Sequence, residues 1–144
     1  MTNLREIYDE YVFSVSRYNA TIPLGDDDLF IIFKRGIRRM FIDTGRADKY
    51  VSSKFTEMQL ENIEYDIGQD EQQYILVAAQ IAFYKQMAID VAQPNRITQH
   101  KTDALTVTFS DKSNAELAGR ISDLELELRE IYHKMPQFVE VLGG

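Results

Sequence analysis

Two acidic residues three positions apart are the first feature of this sequence that could support catalysis. Glu61 and Glu64 would share one face of a helix, where paired carboxylates can help to hold magnesium. Such a site needs several converging carboxylates, yet no E-x-x-D pair follows residue 64, and Glu6-x-x-Asp9 lies on the wrong side of it. A magnesium-dependent nucleotide hydrolase therefore ranks third among the functions considered below, after a structural protein and a DNA-binding protein. It would require a magnesium-dependent activity that is lost when Glu61 or Glu64 is changed.

The remaining candidates for metal binding are scattered along the chain. His100 and His133 are far apart in the sequence, and a metal site would need them together with further ligands. The three aspartates at 26–28 lack the spaced ligands and closing glutamate of a calcium loop, and they suit the start of a helix instead. Since the chain also has no cysteine, we predict no catalytic residue, no metal ligand, no cofactor and no enzymatic activity.

A basic cluster is the strongest charged feature. Lys34, Arg35, Arg38 and Arg39 form two rows with i,i+4 spacing on one predicted helix. They could contact phosphates, pair with an acidic neighbouring subunit, or form a solvated face. The chain as a whole carries a net charge of −7, which disfavours duplex DNA as its main ligand.

The elements that must position these residues are helical. Apolar residues recur at helical spacing in four long segments, so we predict an all-α fold, a bundle of about four main helices in a single domain over residues 1–136. Gly36 within the second helix predicts a close approach of another backbone. No apolar run is long enough to span a membrane, and we expect no membrane partner. The predicted helices cover roughly 4–18, 27–42, 71–93 and 114–135, with a short one over 56–65.

The segment between the last two predicted helices changes its hydrophobic period from about 3.6 to 2. We therefore predict a long extended loop over 94–112 that contains a lone strand, which would need a partner edge on another molecule. The alternative is an ordered loop that folds back over its own helices. The candidate contact residues, in which apolar and polar side chains alternate, are Leu105, Thr106, Val107, Thr108 and Phe109.

The last residues, 137–144, form a second extended segment in this prediction. Their apolar side chains would be unfavourable if they were all exposed, so we predict that this C-terminal tail adds a strand to a partner. A frayed terminus is the alternative. The candidate contact residues of the tail are Phe138, Val139, Val141 and Leu142.

Three stretches in the second half resemble the head–tail adaptor, or connector, proteins of long-tailed bacteriophages. The stretches are 74–84 (YILVAAQIAFY), 102–112 (TDALTVTFSDK) and 123–134 (DLELELREIYHK). The resemblance covers a little under half of the chain. It rests on the order of the secondary-structure elements and on the local amino-acid sequence of these three stretches.

This resemblance implies a helical bundle without catalytic activity. Copies of an adaptor bind beneath the portal protein as a ring, usually of twelve, which extends the DNA channel and receives the stopper or tail-completion protein. DNA would pass through the channel without sequence-specific binding. The protein would then lie in the neck of the virion, and in the host cytoplasm during assembly. The resemblance also assigns subunit and portal contacts to the long loop and the C-terminal tail. The alternative function is a helical DNA-binding or DNA-packaging factor that uses the basic cluster.

Overall fold

The computed structural model describes residues 2–19, 24–92 and 103–135, and it describes the side chains of 2–19, 24–89 and 115–135. The described chain is helical, which confirms the predicted all-α bundle with four main helices. Three short 3-10 turns lie between the second and third helices, at Ala47–Lys49, Ser52–Lys54 and Glu57–Gln59. The four α-helices are α1 (Arg5–Asn19), α2 (Asp26–Asp43), α3 (Gln69–Ala92) and α4 (Asp103–Lys134).

Helix α3 forms the centre of the bundle, because α1, α2 and α4 all pack against it. Its sequence explains this position, since apolar residues surround the helix and a helix of that kind must be covered on several sides. Among the described side chains of α3, the buried ones are Tyr74, Ile75, Leu76, Val77, Ala78, Ala79, Ile81, Phe83, Tyr84 and Met87. Each of the outer helices buries only one stripe, as amphipathic helices do.

Gly36 lies where α2 meets α3. A Cβ atom at this position would stand 2.7 Å from the backbone nitrogen of Ala79 and 2.9 Å from the carbonyl oxygen of Ile75. Both neighbours are backbone atoms, which cannot move aside as the end of a flexible side chain can. The predicted close approach of another backbone is therefore confirmed, and it offsets the unfavourable helix propensity of glycine.

The connection between α2 and α3 is held by aromatic rings. Tyr50, Phe55 and Tyr65 are stacked, with centroid distances of 5.4 and 5.3 Å, and Phe41 meets Phe55 edge-on at 5.9 Å. Offset stacks and edge contacts of this kind stabilise a fold beyond the area they bury. The rings let a connection with little regular structure form part of the core.

The predicted short helix over 56–65 is wrong beyond the 3-10 turn at Glu57–Gln59. The backbone of this region pairs with the start of the chain instead: Leu4 N donates to Leu60 O at 2.7 Å, and Thr2 and Ile63 exchange two hydrogen bonds of 2.8 Å. The N–H group of Ile63 donates to Thr2 O and therefore cannot also close a helical turn, because an N–H group has one hydrogen to donate.

The predicted strand at 105–110 is also wrong, because α4 already begins at Asp103 and its backbone is helical through this segment. A helix satisfies its backbone hydrogen bonds internally, whereas a lone strand in one chain has no partner edge. The predicted start of the last helix, near residue 114, consequently lies inside α4. The rest of the predicted loop, 94–102, and the tail, 137–144, lie outside the described residues.

Helices α3 and α4 run antiparallel. Tyr74 near the start of α3 lies 6.5 Å from Tyr132 near the end of α4, and the Arg120 guanidinium lies 5.9 Å from the Tyr84 ring. At this register α4 continues past the end of α3 by about ten residues, or roughly 15 Å of helix. Within the described part of the chain, none of the helices is both long enough and apolar enough to cross a membrane.

Replacing Gly36 with alanine tests the contact between α2 and α3. We expect Gly36→Ala to lower the free energy of unfolding by about 1–3 kcal/mol, because the new methyl group overpacks against the α3 backbone. Gly119→Ala is the matched control, since Gly119 is also within a helix and its Cβ would meet nothing within 4 Å. That change should raise stability by up to about 1 kcal/mol. Equal effects in denaturant titrations of the two variants would contradict the close contact.

Candidate functional site

The described residues form a surface pocket where three helices meet. The end of α2, the start of α3 and the end of α4 come together because α4 runs antiparallel to α3. The pocket has a volume of about 320 Å³, and its lining is mostly polar or charged. The lining residues are Arg39 and Asp43 of α2, Tyr74 of α3, and Glu125, Leu128, Arg129 and Tyr132 of α4.

A chain of charged and hydrogen-bonded groups joins the three helices at this pocket. The two terminal nitrogens of Arg39 donate to the two carboxylate oxygens of Glu125, at 3.0 and 3.2 Å. The Nε atom of Arg39 donates to Asp43 at 3.3 Å, and the Tyr74 hydroxyl donates to the same carboxylate oxygen of Asp43. A bidentate arginine–carboxylate pair is the strongest geometry for an ion pair between side chains.

The electrostatics of this cluster stabilise its charged state. The hydrogen bond from Arg39 lowers the pKa of Glu125, and the same hydrogen bond raises the pKa of Arg39. Burial raises the pKa of Tyr74, and the hydrogen bond to Asp43 raises it further. A general acid or base works best with a pKa near the operating pH, and each of these shifts leads away from neutrality. The arrangement therefore suits a structural junction better than acid–base catalysis.

Removing the charge of Glu125 tests this junction. A carboxyl whose folded-state pKa is lowered stabilises the fold above its unfolded-state pKa, and this contribution is lost as the pH falls through the folded-state pKa. We expect Glu125→Gln to lower the free energy of unfolding by about 1 kcal/mol at neutral pH, since both partners remain partly exposed.

The difference between Glu125→Gln and the unchanged protein should shrink towards zero in acid, as measured by denaturant titrations at several pH values. Glu127→Gln is the matched control, because Glu127 is an exposed glutamate on the same helix. A destabilisation by Glu125→Gln that did not vary with pH would contradict the role of the ion pair.

The four residues of the basic cluster do not act as one surface. Arg39 turns towards α4 and pairs with Glu125, so its guanidinium already has a partner within the chain. Arg35 and Arg38 are exposed, and Arg35 donates to the side chain of Gln86 at 3.3 Å. Lys34 is half-buried, with its ammonium group 6.0 Å from the centre of the Phe30 ring. Three cations therefore remain on the outer side of α2.

The carboxylates considered for metal binding do not converge. Glu61 and Glu64 are both exposed, and Glu64 forms an ion pair with Lys54. The aspartates at 26–28 lie exposed in the first turn of α2, next to the positive end of its dipole. Among the described residues, no three histidine, aspartate or glutamate side chains are grouped so that they could hold a metal ion. His100 lies outside the described residues, whereas His133 is exposed beside Tyr132 at the end of α4.

The residues predicted to bind a partner have a different geometry from the one expected. In a helix, residues 105 and 109 lie one turn apart on one face, and 107 lies on the opposite side. The six residues from 105 to 110 therefore cannot offer a single strand edge to a partner. The predicted contact residues of the tail lie outside the described residues, so their role stays a prediction.

Sequence reasoning missed the apolar side chains on the outside of the bundle. Phe13 of α1 is 81% exposed and Met58 is 95% exposed. The exposure of Phe13 could have been predicted from the sequence, because Phe13 lies outside the apolar stripe of α1. That stripe contains the buried residues Ile7, Tyr11 and Val15. Phe13 and Met58 each leave a large apolar area in contact with water, which a partner chain could cover.

Comparisons with models of protein families, with curated proteins and with solved structures give no match to this chain.

Proposed function

We propose that this protein is a structural assembly protein, and specifically a head–tail adaptor that binds beneath a bacteriophage portal as a ring. The observation that carries the assembly part of the proposal is the outer surface of the bundle. Large apolar side chains, Phe13 and Met58 above all, are exposed there instead of being packed in the core. Contact with other protein chains would remove them from water.

Two further observations support a structural role. The polar groups at the pocket between α2, α3 and α4 bind one another, and the pKa shifts of Glu125 and Tyr74 disfavour acid–base catalysis. Helix α4 also continues past the end of α3, so its first turns have no α3 residues beside them. The adaptor assignment itself rests on the resemblance of residues 74–84, 102–112 and 123–134 to that family.

In this proposal, the protein has no enzymatic activity and needs no cofactor. Copies of the chain would form a ring that extends the DNA channel between the portal and the stopper or tail-completion protein. The protein would be found in the neck of the virion. DNA would pass through the ring without sequence-specific contacts, which agrees with the net charge of −7.

Truncation of the C-terminal tail tests the portal contact. We expect a chain that lacks residues 137–144 to lose its co-purification with the portal protein, because the tail would supply the apolar residues that add to the portal. Circular dichroism should show unchanged helicity, since the described helices end at Lys134. Co-purification that survives the truncation would contradict the role of the tail.

A DNA-binding or DNA-packaging factor is the second candidate function. The observation in its favour is the outer side of α2, where Lys34, Arg35 and Arg38 lie close together. Binding through phosphates releases counterions, so the affinity for DNA would fall steeply as the salt concentration rises. The adaptor proposal predicts no such binding at physiological salt, and a salt titration with duplex DNA decides between the two.

A further inference from the structure

The outer faces of α1 and α2 have complementary surfaces. On α1, Glu6, Asp9 and Glu10 are exposed on one face together with the aromatic ring of Phe13. This acidic face ends at Arg17, which is also exposed. The first helix therefore presents an apolar side chain with negative charge on one side of it and positive charge on the other.

The outer face of α2 has the opposite charges around an apolar centre. Ile31 is 51% exposed, and Lys34 and Arg38 follow it along the same face. Arg35 lies at the edge of this face, where it also donates to the side chain of Gln86 on α3. Asp27 precedes Ile31 by one turn and is exposed. Because Gly36 turns the opposite side of α2 towards α3, this basic face points away from the bundle.

The two faces also agree in spacing. The acidic face places Glu6, Glu10, Phe13 and Arg17 at intervals of four, three and four residues. The basic face, read in the opposite direction, places Arg38, Lys34, Ile31 and Asp27 at the same intervals. Residues at such intervals lie along one side of a helix, so the two rows can face each other over their whole length.

An antiparallel contact with Phe13 on Ile31 makes every facing charge pair attractive. It sets Glu6 against Arg38, Glu10 against Lys34, and Arg17 against Asp27. A parallel contact on the same apolar centre would instead oppose Asp9 to Asp27 and Arg17 to Arg35. Like charges that face each other across an interface suppress the wrong pairing, so the antiparallel arrangement is favoured.

We propose that the acidic face of α1 in one copy of this chain binds the basic face of α2 in a second copy. The occupant is a second copy because the two faces match each other in charge, in spacing and in their apolar centres. The faces belong to different helices that pack side by side on α3, so they point in different directions. A contact between two different faces leaves one of each unoccupied in a pair, and it therefore continues to a ring or a filament.

This inference rests on the proposed adaptor function, in which the contact between α1 and α2 would be the interface between neighbouring subunits of the ring. The matched rows span only about 17 Å of helix, so a single contact is small and should be weak. Copies that are already held next to each other on a portal would gain the effective concentration that a weak contact needs. The contact is also charged and exposed, so high salt should weaken it.

Disulfide trapping tests the contact, since the chain contains no cysteine of its own. A Phe13→Cys protein is mixed at high concentration with a tagged Ile31→Cys protein under oxidising conditions. We expect a cross-linked pair that contains one copy of each, because residues 13 and 31 face each other. Tagged Ile42→Cys is the matched control, because Ile42 lies on the same helix and is 45% exposed. Equal cross-linking at 31 and 42, or none at 31, would overturn the proposed contact.

Charge exchange gives a second test, in which the yield of the same cross-linked pair reports on the facing charges. Adding Glu10→Lys to the Phe13→Cys copy should reduce the yield of the cross-linked pair by about tenfold, because an attraction becomes a repulsion. Lys34→Glu in the Ile31→Cys copy should have the same effect, and the two changed copies together should restore the yield. Restoration would show that neither variant is misfolded, and its failure would overturn the pairing of residues 10 and 34.

Binding to the portal protein, measured beside the cross-link, distinguishes a failure of this inference from a failure of the proposed function. If the portal recruits the protein but no link forms between 13 and 31, the contact is wrong and the adaptor proposal survives. If the link forms and the portal recruits nothing, the contact is correct and the adaptor proposal fails.

Discussion

The contact between the backbones of α2 and α3 at Gly36 is the constraint on which the rest of the structure depends. It fixes the rotation of α2, because the side that carries Gly36 must face α3. Arg39 then lies beside α4, where it reaches Glu125. The side opposite Gly36 is left to solvent, and that is the side with Ile31 and Arg38. One glycine thus determines both the polar junction and the outer basic face.

Local patterns predicted the helices and their centre. The 3.6-residue periodicity found the four main helices, although it started the last one near residue 114 and the helix begins at Asp103. The dense apolar sequence of α3 indicated that it would be covered on several sides. Gly36 was interpretable from sequence because a glycine inside a helix is unfavourable unless another backbone comes close. These features depend on residues near one another in the chain, which is why a single sequence was sufficient for them.

Features that depend on distant residues could not be predicted in the same way. The alternation over 105–110 indicated a strand, but the helix that continues from it satisfies the backbone without a partner. The pairing of Leu60 and Ile63 with the N-terminal segment replaced the predicted short helix. Arg39 was grouped with its neighbours in sequence, although its partner Glu125 lies on another helix. The complementary faces of α1 and α2 emerged only when exposure distinguished outer residues from core residues.

Electron microscopy of this chain, co-expressed with a bacteriophage portal protein, tests the central claim most directly. The account predicts portal rings that carry an added collar of density, with the copies of the chain side by side and α1 of each against α2 of the next. Well-formed portals without a collar, beside free protein, would contradict it. That outcome would favour a function of the basic face in binding DNA.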